Sequence, residues 1–169
     1  MSSNRFIVCF ILALLVQMVL AEYCQWTFVY ICILPAMILC MPTIRPTWWT
    51  MAVAFLSGLA VDALADGTLG LNAIALVPVA ALQKTIISRV INEDIVERHY
   101  NLSFRSNGYI SLAIALSITY VLFFIIYILI DSAGIRNFGF NFTKLLSSTL
   151  VSLIFGMTTI AVLCPYQRK

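Results

Sequence analysis

The chain has 169 residues, of which 62% are hydrophobic and only 10% charged, and its mean hydropathy is +1.01. A soluble domain is about 25% charged, so a water-facing globule of this size is excluded and lipid must be the solvent for most of the surface. The net charge is only +3, with basic residues gathered at the ends of apolar runs, which excludes a nucleic-acid footprint.

A helix needs roughly 17–25 apolar residues to cross the hydrocarbon. Runs of that kind cover about 5–21, 23–41, 48–65, 69–90, 109–130 and 143–163. They predict one all-α integral membrane domain over 1–169, a six-transmembrane-helix bundle. The first run opens at Arg5 and ends in Val19, Leu20 and Ala21, which resembles a signal-peptidase site. Its apolar stretch is long for a signal peptide, so a retained helix is expected. Only Glu22 and Gln25 interrupt the passage into the second run. Pro35 lies inside that run and Pro78 inside the fourth, and both predict kinks. Pro42 and Pro46 end the second run, and Trp48 and Trp49 mark the membrane interface before the third. Asp66 and Gly67 form the turn into the fourth.

The longest polar stretch, 91–108, follows the fourth run. Arg89 with Glu93, and Asp94 with Arg98, stand at i,i+4 and could support a short surface helix. The stretch reads either as a solvated loop or as a docking surface for a cytoplasmic partner. His99 is the only histidine and has no second ligand at metal spacing. In the sixth run Ser148, Ser152 and Gly156 recur every fourth residue, the pattern of a packing seam.

Basic residues set the orientation. The N-terminus, the loop before the third run, the end of the fourth run with 91–108, and the C-terminus hold eight Lys and Arg; the alternate loops hold only Arg136 and Lys144. The positive-inside rule then places both termini and 91–108 in the cytoplasm, and an even number of crossings agrees. The five cysteines form no C-x-x-C pair, so apolar packing is expected of them rather than disulfides or metal. No phosphate loop, H-E-x-x-H or nucleophile elbow occurs. Neither enzymatic activity nor a metal or cofactor is expected.

One stretch stands apart. Residues 58–72 read GLAVDALADGTLGLN and hold two of only seven acidic residues. Asp62 lies 13 residues past Trp49, roughly 20 Å along a helix, which is still within the hydrocarbon. Ala54, Gly58, Asp62 and Asp66 share one helix face, a small-residue stripe that should point into the bundle. Asp66 fits a wet turn. Asp62 must be neutral, hydrogen-bonded or facing a wet cleft, because an intramembrane charge costs about 2.5–3.5 kcal/mol even on lenient scales. A structural hydrogen-bonding role is expected, with Asn72 a candidate partner. On that reading Asn at position 62 keeps most function and Leu destabilises the bundle. The spacing Gly58, Asp62, Asp66 also resembles half of the CDP-alcohol phosphotransferase signature. That signature needs further aspartates upstream, and 41–49 contains none, so a dimetal site is excluded.

The pattern Gly58-Leu59-x-x-Asp62, Gly67-x-Leu69-Gly70-x-Asn72-Ala73 resembles the signature stretch of the rod shape-determining protein MreD family. Length, run count and the position of the stretch also fit, and the mixed charges after Asn92 look like Bacteroidetes members. The resemblance implies a non-enzymatic protein of the bacterial inner membrane that serves cell elongation and peptidoglycan synthesis. Gly58, Asp62, Gly67, Gly70 and Asn72 would be its structural motif. The implied partners are MreC, MreB, and a SEDS glycosyltransferase with its penicillin-binding protein. The family fold is similar to the six-helix substrate-binding subunit of ECF vitamin transporters, which supplies the alternative function. Those subunits usually carry Ala-x-x-x-Ala on the first helix. Here Ala13 is followed by Gln17, and Ala21 by Gln25.

Overall fold

The computed structural model describes residues 3–23, 29–66, 70–90, 109–132 and 138–163. These described residues form six α-helices in chain order: α1 (Ser3–Tyr23), α2 (Leu34–Leu39), α3 (Thr47–Val61), α4 (Leu71–Val90), α5 (Tyr109–Ser132) and α6 (Phe138–Leu163). A π-helical turn, Asp62–Asp66, prolongs α3. The expected loop 91–108, with His99, lies outside the described residues, as does Gly67.

Among the described residues four segments are long and apolar enough to cross a membrane: Thr47–Ala65, Leu71–Val90, Ile110–Ser132 and Gly139–Val162. A shorter apolar helix, Ile7–Tyr23, precedes them. Their outward faces are oily. Ile11 and Leu15 on α1, Leu56 on α3, Ile114 on α5 and Leu150 and Ile154 on α6 are all exposed. Apolar surface this continuous needs lipid as its partner, and the chain is a multi-pass, all-α membrane protein. The interior is packed with Leu34, Met37, Leu76, Leu116, Tyr120, Phe123 and Phe124. Tyr120, Phe123, Phe124 and Tyr127 form a chain of ring contacts at 5.3–6.1 Å along α5. Pro78 lies inside α4, which continues through it.

The second apolar run departs from the helix expected over 23–41. Between residues 29 and 41 only Leu34–Leu39 are helical, and the chain from Tyr30 to Ile33 is neither helix nor strand. Pro35 stands in the first turn of α2, where its missing N–H is no loss. It starts a short helix instead of kinking a long one. The irregular backbone is buried, with Tyr30 5%, Cys32 0% and Ile33 3% exposed. Backbone at membrane depth survives outside a helix only when protein groups satisfy it, and here side chains do so. The Tyr30 N–H donates to Ser148 Oγ at 2.9 Å and the Cys32 N–H to Ser152 Oγ at 3.1 Å. Ser152 Oγ also donates to the Tyr30 carbonyl at 3.3 Å. From α1, Gln17 accepts from the Ile33 N–H at 2.7 Å and donates to the Ile31 carbonyl at 3.3 Å. The seam predicted at Ser148 and Ser152 is thus the ladder that holds a broken segment.

Below the break, α2 is wholly buried. Gln83 of α4 donates its amide to the Leu39 and Met41 carbonyls at 3.3 and 2.9 Å, satisfying carbonyls at the buried C-terminal end of that short helix. Tyr30 meets α4 at Asn72 and Met41 meets it at Gln83. The segment therefore runs beside α4 for eleven residues of its length, roughly 16 Å.

Candidate functional site

The site is the hairpin where α3 hands over to α4. Gly58 allows it to form. A Cβ on Gly58 would lie 2.6 Å from both the Cα and the N of Ala73, so the two helix backbones touch at this point and only glycine fits. One turn further, the π-helical turn carries Asp62 to the start of α4. Gly70 has φ +97, a left-handed conformation that glycine adopts at little cost. Its carbonyl accepts from the Ile74 N–H at 2.9 Å, which makes Gly70 the residue at the mouth of α4.

The first N–H groups of a helix have no partner within it. Here one carboxylate takes them. Asp62 is 0% exposed. Its Oδ2 accepts from the Gly70 N–H at 3.0 Å and the Ala73 N–H at 3.2 Å. The Asn72 N–H is shared between Oδ1 and Oδ2, at 3.1 Å from each. The Asn72 side-chain amide donates to Oδ1 at 2.8 Å. Asp62 therefore caps α4 from another helix, the arrangement in which a negative charge also meets the positive end of the helix dipole. Every contact is donated to the carboxylate by an N–H group, which is the demand of an acceptor-only group.

This geometry changes the expectation for position 62. Both oxygens are used, and an asparagine would turn an NH₂ toward N–H donors. The structural reading of Asp62 thereby acquires a sharper form, in which Asn is not an adequate substitute.

A polar seam leaves the cap and crosses the bundle. The Asn72 amide also donates to Tyr30 Oη at 2.9 Å, and the Tyr30 hydroxyl donates to Asn72 Oδ1 at 3.3 Å. The Tyr30 ring stacks on Tyr127 of α5, with centroids 4.7 Å apart and planes 13° from parallel. Lys144 of α6 sits 5.8 Å over the Tyr127 ring and pairs with Asp131 of α5 at 2.9 Å. The cap, the broken segment, α5 and α6 are thus linked at one end of the molecule, with Tyr30 joining the cap to α5.

Of the sequence-predicted motif, Gly58, Asp62, Gly70 and Asn72 converge here. Gly67 and the side chain of Asp66 are outside what the structure describes. Ala54, Gly58 and Asp62 are all buried, so the stripe faces inward. Tyr30, Gln17, Gln83 and Tyr127 were not singled out as site residues by sequence. The glutamines carried a usable signal, since each is an amide inside an apolar run; Tyr30 carried none, because its place depends on a break in what reads as a helix. Among the described residues no group of three or more His, Cys, Asp or Glu could hold a metal ion. Comparison with known protein families, with curated proteins and with solved structures finds no match for this chain.

Proposed function

We propose that the protein is a non-enzymatic scaffold of the bacterial cell-elongation machinery, an MreD-like member of the inner membrane that works through contacts with MreC, MreB and a SEDS glycosyltransferase with its penicillin-binding protein. The observation that carries this reading is the use made of the motif. The residues that carry the resemblance are spent on geometry: Gly58 admits Ala73, Gly70 turns the chain, and Asp62 gives both oxygens to the α4 cap. A carboxylate so occupied has no free face for a substrate, whereas a braced hairpin suits a protein that offers shaped helix faces to partners.

In this reading α1 and the broken 29–41 segment each cross the bilayer, completing six crossings in the manner of an ECF substrate-binding subunit. Both termini are cytoplasmic, as the balance of Lys and Arg requires. The 91–108 stretch then faces MreB.

Depletion in the native host tests the reading. Rounded, fragile cells are expected, and rod-shaped cells with normal wall synthesis would refute it. A pull-down from native membranes separates the alternatives. MreC and MreB are expected; recovery of an ECF ATPase module would favour the substrate-binding subunit of a vitamin transporter.

A further inference from the structure

The basic side chains are unevenly spread. Arg45, Lys84 and Arg89 belong to the end where α3 begins and α4 finishes, and the Gln83 amide ties that end of α4 to the Met41 carbonyl at 2.9 Å. Lys84 follows Gln83 directly, and Arg89 lies roughly 7.5 Å further along α4. The acidic side chains that the structure describes, Glu22, Asp62 and Asp131, belong to the opposite end, where Lys144 is already paired with Asp131. Among the described residues the three bases therefore have no carboxylate partner.

Arg45 is the best placed of them. Its guanidinium lies 5.9 Å over the Trp49 ring, and Trp48 meets Trp49 edge-on at 5.8 Å. The short loop is bracketed by Pro42 and Pro46, which restrict its backbone. Around the charge the surface is apolar and open, with Ile44 61% and Trp48 65% exposed. A guanidinium held on an indole face keeps its N–H fork available, and that fork matches a phosphate bidentately. Tryptophans settle at the headgroup level of a bilayer.

We propose that this corner binds the phosphate headgroup of an anionic phospholipid, with Arg45 as the anchoring donor and Lys84 and Arg89 adding charge. The occupant is a lipid and not free phosphate, because Ile44 and Trp48 flank the charge and need acyl chains to cover them. The site is separate from the capped hairpin, and its failure would leave the scaffold reading untouched.

Native mass spectrometry of the full-length protein in detergent, titrated with phosphatidylglycerol or phosphatidylcholine, tests the proposal. The parent protein is expected to retain phosphatidylglycerol preferentially. Arg45→Ala should weaken that retention by about tenfold, the scale of one charge-assisted contact, and leave phosphatidylcholine unchanged. Arg45→Lys should fall between the two, since it keeps the charge and loses the fork. Arg45 is exposed, so the two Arg45 variants should unfold at the parent temperature in phosphatidylcholine. Equal retention of both lipids by the parent, undiminished phosphatidylglycerol binding by Arg45→Ala, or displacement of the lipid by inorganic phosphate would overturn the proposal.

Discussion

Replacing Asp62 by Asn isolates the cap from everything else, because the two side chains have the same shape. Asp62 accepts from the backbone N–H groups of Gly70, Asn72 and Ala73 and from the Asn72 amide, all between 2.8 and 3.2 Å. Asparagine keeps one acceptor oxygen and places an NH₂ against the donors that met the other. Either Oδ1 is lost, with the Asn72 amide, or Oδ2 is lost, with Gly70 and Ala73. Leaving one or two buried donors unpaired costs about 1–3 kcal/mol each, and weakening a cap of this kind about 1 kcal/mol. The expected loss is therefore about 2–4 kcal/mol with one donor stranded and about 3–7 kcal/mol with two. Asp62→Leu, which removes every acceptor, should cost more. Reversible unfolding in mixed micelles gives these values directly. A double-mutant cycle with Asn72→Ala should return a coupling of about 1–3 kcal/mol, as expected for residues in one hydrogen-bonded network. Asp62→Asn within about 0.5 kcal/mol of the parent, the scatter of a neutral substitution, would refute the cap. Damage to function by Asn at unchanged stability would instead indicate a role for the charge itself.

The same measurement serves the other predictions. Gly58→Ala drives a methyl to within 2.6 Å of Ala73 backbone atoms, so α3 and α4 must part at a cost of about 1–3 kcal/mol or more. A variant as stable as the parent would show that the close approach is dispensable. Ser152→Ala removes an acceptor of the Cys32 N–H and Ser148→Ala an acceptor of the Tyr30 N–H, each costing about 1–3 kcal/mol. Hydrogen exchange at residues 30–33 should accelerate in both, and unchanged exchange would refute the ladder. Tyr120→Phe should be neutral or stabilising by about 1 kcal/mol, because the Tyr120 hydroxyl is buried against Gly156 without a hydrogen-bond partner among the described residues. A clear loss of stability would mean that the hydroxyl has a partner in the membrane.

Much of the architecture is legible without coordinates because lipid imposes one rule. Apolar runs of membrane length must close their own backbone hydrogen bonds, so α3, α4, α5 and α6 can be read from composition and punctuation. Gly58, Asp62, Gly70 and Asn72 stand out for a related reason, since glycines and an acid inside such a run need an explanation. Their spacing even suggests that Asn72 and Asp62 meet.

The limit of that reading lies in the second run. By composition 23–41 is an ordinary crossing helix, and Pro35 looks like a kink within it. Whether its backbone closes its own hydrogen bonds or lends them elsewhere depends on what stands beside it. Ser148 and Ser152 are more than a hundred residues away in the chain, and Gln17 and Gln83 come from two further helices. Only when those side chains are brought to the segment does an irregular backbone become cheaper than a helix. The same holds for the direction of Asp62. Its residue type and depth required that it be satisfied, and these are properties of the sequence. That satisfaction takes the form of a cap on the next helix, rather than a wet cleft, because the Gly58–Ala73 contact sets the two helices close enough for one carboxylate to reach the open N–H groups of the other.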